Sequence, residues 1–60
     1  MNDTSGFYKL DAGNVLLFAP NCVYGTDFCL FRQDHDTYTY PIDGWYWFDS
    51  EEQAKAFFNL

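Results

Sequence analysis

The run DGWYWFDSEEQAKAFF, residues 43–58, decides the fold of this chain. Asp43-Gly44 is a strong signal for a two-residue hairpin turn. Four rings follow it without a break. Side chains alternate along a strand, so Trp45 and Trp47 share one face while Tyr46 and Phe48 share the other. Ser50 then stands three residues before Gln53, the spacing of a capping box, and Glu51 and Glu52 fall where the helix dipole favours anions. Ala54, Phe57 and Phe58 recur at i, i+3 and i+4 and predict one apolar stripe. So short a helix is not stable alone, and it must dock on the strand before it. Phe57 and Phe58 are expected to cover one sheet face, with Ala54 permitting close approach. One helix shelters one face, which leaves either Trp45 and Trp47 or Tyr46 and Phe48 to look elsewhere.

Turn residues divide the rest of the chain into short apolar runs. GFYKL (residues 6–10) reads as a first strand, and DAGN (11–14) as a turn in which Gly13 and Asn14 tolerate positive φ. VLLFAP (15–20) is apolar at every position and reads as a central strand covered on both sides, ended by Pro20. PNCVYGTD (20–27) reads as a loop, FCLFRQ (28–33) as a third strand, and Asp34 to Thr37 as the next turn. In YTYPI (38–42) Pro41 lacks an N–H, which predicts an edge strand or an extended arm. No repeat, low-complexity tract or linker divides residues 1–60, so a single small domain is expected. Its fold class is α+β: a small antiparallel sheet of three to four strands with one C-terminal helix packed on one face.

Fourteen of the 60 residues are Phe, Tyr or Trp. A chain this short removes only ~60% of its unfolded surface from water. Rings that each bury roughly 150–250 Å² replace the larger core it lacks. Nine acids against Lys9, Arg32 and Lys55 give a net charge of −6. Nucleic-acid affinity rests on cations that neutralise phosphates, so direct nucleic-acid binding and a polybasic membrane contact are both disfavoured. MNDTSGFYKL lacks the basic segment of a secretion signal, and VLLFAP is far too short to span a bilayer, which makes the cytoplasm the expected location. Cys22 and Cys29 are then expected as reduced thiols.

Candidate chemistry is sparse. Asp34-His35-Asp36 with the two cysteines matches no zinc spacing, and a solvated polar turn explains it better. No phosphate-binding glycine loop is present, and no enzyme activity, cofactor or metal is expected. Tyr38, Tyr40, Trp45, Tyr46 and Trp47 are the candidate partner-binding residues, because Tyr and Trp bury area while keeping a polar tip. Packing across the Asp43-Gly44 hairpin is the competing explanation for the same rings.

The tail DGWYWFDSEEQAKAFFNL (residues 43–60) resembles the ends of short uncharacterised phage and prophage proteins, in which an aromatic strand runs into a Ser-capped helix with paired Phe. The resemblance implies a small accessory protein that binds a host or virion component. It carries no activity and no site residues. Three functions follow in order: non-catalytic protein binding through the aromatic hairpin and an acidic rim, self-assembly as a structural subunit, and inhibition by imitation of DNA charge. The expected partner is a protein, which for the second function is another copy of the chain.

Overall fold

The computed structural model describes residues 3–60. Five strands and one helix follow in chain order: β1 (Gly6–Asp11), β2 (Val15–Ala19), β3 (Cys22–Tyr24), β4 (Cys29–Phe31), β5 (Tyr46–Phe48) and α1 (Glu51–Phe58), with a 3-10 turn at Arg32–Asp34. The architecture is α+β. The strands form two antiparallel sheets, one ordered β2-β1-β5 and one pairing β3 with β4. The molecule is a slab of 30 × 28 × 16 Å.

β1 is the central strand. It pairs with β2 from Phe7↔Ala19 to Asp11↔Val15 and with β5 from Gly6↔Phe48 to Tyr8↔Tyr46. Its neighbours Phe7 and Tyr8 point to opposite faces, and both are fully buried. Two-sided cover therefore belongs to β1. The apolar run expected at the centre, β2, lies instead at the edge, with Val15 and Phe18 exposed. An unbroken apolar run does not distinguish a doubly covered strand from an edge strand with wet apolar positions.

Each face of the larger sheet carries its own small core. On one, Phe7 meets Val23 from β3 and Leu30 from β4, and Ala19, Phe28, Tyr38, Tyr40, Ile42, Trp45 and Trp47 pack around them. On the other, the rings of Tyr8, Phe18, Tyr46 and Phe48 continue onto Phe57 and Phe58 of α1. Gly6 makes room on this second face, since a Cβ there would stand 2.6 Å from the Phe18 ring.

Two expectations are corrected by this arrangement and a third is decided. Residues 22–24, read as loop, form β3, which buries Val23 while Cys22 and Tyr24 look outward. The strand expected over 28–33 ends at Phe31 and tightens into the 3-10 turn. Of the two alternatives for YTYPI, an edge strand or an arm, the strand does not form: only Ile42 makes a bridge, to Trp45 across the Asp43-Gly44 turn. That turn is as expected, with φ of 53° and 86° at its two central residues, the type I′ signature.

The helix start also follows the sequence. Ser50 Oγ accepts from the Gln53 N–H at 3.3 Å, while Gln53 Oε1 accepts from the Asp49 N–H at 3.2 Å, one residue beyond the usual capping-box donor. Thr4 Oγ1 accepts from the Glu51 N–H at 2.9 Å and ties the N-terminal arm to the helix. Asn59 ends α1 in the left-handed conformation, φ 63°, with its N–H on the Ala56 carbonyl at 3.3 Å.

Candidate interaction surface

The five rings proposed from the sequence divide between the two cores. Tyr38, Tyr40, Trp45 and Trp47 join the Phe7 core, and Tyr46 joins the helix-covered face. All five are half-buried. Trp47 is the most enclosed by partners: Phe7 meets it edge-on at 5.1 Å, His35 stacks on it at 4.0 Å and 13°, and the Arg32 guanidinium lies 5.4 Å from its centroid. Its Nε1–H is buried without a hydrogen-bond partner. The Tyr38 hydroxyl accepts from the Phe31 N–H at 2.8 Å, and the Tyr40 hydroxyl donates to the His35 carbonyl at 2.7 Å. Burial, with Tyr38 and Asp36 nearby, pushes the Tyr40 phenol up to about 12. These polar tips hold the 38–42 segment against the sheet, which explains why it needs no strand pairing.

The β3–β4 pair supplies the covering layer that the sequence reading lacked, so both indoles pack inward. The exposed large apolar side chains are instead Val15, Phe18, Tyr24, Phe57 and Leu60. Phe57 is the most supported of them. It is 55% exposed, yet its ring rests on Tyr46 at 4.7 Å, Phe58 at 5.1 Å and Phe48 at 5.4 Å. Helix geometry explains the split between the paired phenylalanines. At about 100° per residue, Phe58 lies roughly 40° from Ala54 around the axis and Phe57 roughly 60° on its other side. Ala54 is fully buried, Phe58 is half-buried, and Phe57 stands at the rim. The i+3 and i+4 stripe marked both residues as inward. The length of the helix, eight residues, was the signal that one of them could stay out.

Charge is distributed unevenly over this surface. Each cation is committed: Lys9 to Asp43 at 3.6 Å, Arg32 to Asp3 at 3.0 Å, and Lys55 to Glu51 at 4.0 Å. Of nine acids, three are so paired, leaving six (Asp11, Asp27, Asp34, Asp36, Asp49 and Glu52) without a cation among the described residues. Arg32 also donates to the carbonyls of Ser5 at 3.1 Å and Pro20 at 2.9 Å, so it clamps the N-terminal arm to the end of β2. Asp3 is held below the usual carboxylate range first by its hydrogen bonds from Ser5 and then by Arg32.

The remaining groups offer little chemistry. A cleft of about 330 Å³ is lined by Thr26, Asp27, Phe28 and Asp43, and Asp43 is already engaged with Lys9. Among the described residues no three His, Cys, Asp or Glu side chains converge as a metal would require. His35 is stacked on Trp47 rather than presented to a nucleophile. Cys22 and Cys29 are free thiols, set diagonally on the outer face of the β3–β4 pair because Cys22 opposes Phe31 and Cys29 opposes Tyr24. Hydrogen bonding to Cys22 and the nearby thiols raise the Tyr24 phenol. No helix among the described residues is long and apolar enough to cross a membrane. No protein family, curated protein or solved structure matches the chain.

Proposed function

We propose that the protein is a non-catalytic binding module that docks a protein partner on the ring cluster of Tyr46, Phe48, Phe57 and Phe58. One observation carries this reading: Phe57 is half exposed while three other rings fix its position. Such a ring loses little entropy on binding, because its surroundings already restrict it. Covering its exposed half removes on the order of 100 Å² from water, about 2–3 kcal/mol, or roughly 30- to 150-fold in affinity. Asp49 and Glu52, without a cation at the start of α1, favour a partner that carries basic groups beside its apolar socket, and the net charge of −6 speeds its approach. An accessory role of the kind that the phage-protein resemblance implies fits a small chain that offers one anchor and little enclosed volume.

Capture by tagged protein from a lysate of its source, repeated with Phe57→Ala and with Tyr24→Ala, tests the proposal. Tyr24 is the control, an exposed ring on the other sheet. A stoichiometric partner that is kept by Tyr24→Ala and lost by Phe57→Ala supports the reading. Equal retention by the parent and Phe57→Ala contradicts it.

A further inference from the structure

We propose that β2 is a self-pairing edge: two copies of the chain join β2 to β2 in antiparallel fashion about a two-fold axis through Leu17, giving a continuous sheet of six strands. Edge strands are normally protected by charge, proline, bulges, shortness or cover. β2 carries none of these. Its five residues are all uncharged, and Pro20 comes only after its end. Apart from its ladder with β1, no backbone hydrogen bond reaches Val15–Ala19 among the described residues. The other edges are better guarded. β3, β4 and β5 are each only three residues long, and on β4 the Tyr38 hydroxyl takes the outward N–H of Phe31.

The occupant follows from the register. About an axis through Leu17, Val15 opposes the second copy's Ala19, Leu16 opposes its Phe18, and Leu17 opposes itself. Every pair is apolar, and both exposed residues of the strand, Val15 at 51% and Phe18 at 45%, gain a neighbour. A two-fold axis normal to the sheet keeps corresponding faces on the same side. Asp11, unpaired and opposite Val15 on β1, then comes alongside the end of β2 where the other copy's Arg32 holds the Pro20 carbonyl. The two charges lie roughly two strand spacings apart, about 10 Å, on one face. Antiparallel pairing brings these ends together. The net charge of −6 on each copy opposes association as a whole, so added salt strengthens the dimer. The opposite sheet edge remains free, and each dimer presents two Phe57 clusters.

The test is sedimentation across a dilution series with the parent, Leu17→Glu, Leu17→Lys and an equimolar mixture of the two variants. The axis residue is the one that meets its own copy, so each variant alone sets like charges opposite one another. The expected result is a dimer for the parent that tightens with salt. Each variant alone should dissociate at roughly tenfold or more higher concentration, and the mixture should re-form the dimer. A parent that stays monomeric into the millimolar range overturns the proposal, as do folded variants that dimerise like the parent. If Leu17, itself half-buried, does not tolerate a charge, amide hydrogen exchange on the parent decides. Protection within Val15–Ala19 that rises with protein concentration supports the pairing, and protection independent of concentration refutes it. Loss of Phe57 leaves this dimer intact, so the two proposals fail separately.

Discussion

Phe7→Ala and Phe57→Ala delete the same atoms from opposite environments, and the gap between them measures the division of rings described above. Phe7 is 0% exposed and lies between Trp47 at 5.1 Å and the tyrosines at 6.3 and 6.5 Å. Truncating it removes the transfer energy and leaves a cavity, at a cost of about 3–5 kcal/mol. A domain of this length holds roughly 3–9 kcal/mol in all, so this variant should be largely unfolded or close to it. Phe57 already exposes half its surface, and losing the buried half with its ring contacts should cost about 1–2 kcal/mol. Urea unfolding followed by far-ultraviolet circular dichroism and tryptophan fluorescence gives both values, and coincident transitions with equal slopes license the comparison. If Phe57→Ala costs as much as Phe7→Ala, the helix buries its rim ring and the binding cluster does not exist. If Phe7→Ala costs less than about 1.5 kcal/mol, the core opposite the helix is not the one described.

Three further outcomes are expected. Tyr40 keeps its proton from its ordinary value of 10.0 up to about 12 in the folded chain, so the native state binds more protons than the unfolded state in that window. The Tyr40 contribution to stability should therefore be full below the lower value and be lost as pH rises through the upper, so Tyr40→Phe should weaken the alkaline fall while the raised phenols of Tyr8 and Tyr24 keep part of it; phenolate absorbance during alkaline unfolding measures it. Ser50→Ala should cost about 1 kcal/mol in urea unfolding, because the Gln53 N–H loses its acceptor while the other cap contacts survive. At Gly44, φ is +86° and a Cβ would stand 3.2 Å from Lys9 Cε. The lysine stem can move but the backbone cannot, so Gly44→Ala should lower stability by about 1–2 kcal/mol, with a heat-unfolding midpoint to match.

What the sequence revealed was local. The Asp43-Gly44 turn, the Ser50–Gln53 cap and the inward Ala54 each depend on a few adjacent residues, and the structure has all of them. What it hid was which layers cover which face. Cys22–Tyr24 offers only one alternation, too short for periodicity to reveal, yet this strand brings Val23 onto Phe7. With β3 unseen, one sheet face had no cover, and either the two indoles or Tyr46 and Phe48 stood out as surplus rings. Val15–Ala19 misled in the opposite sense, since its apolar residues suit a buried centre or an edge awaiting a partner. Of the five rings singled out, Tyr46 alone touches the cluster proposed to bind. Phe57, the proposed anchor, was hidden by a stripe that promised to bury it.

The decisive measurement is photocrosslinking from a benzoylphenylalanine placed at position 57 and, in separate proteins, at positions 24 and 47, each expressed in the source cell. A single foreign protein crosslinked from position 57, with none from 24 and only intramolecular adducts from 47, is the outcome required by a docking site on the helix-covered rings. Crosslinks to that protein from 24 or 47, with position 57 silent, would place the binding surface on the other side of the slab and contradict the assignment made here.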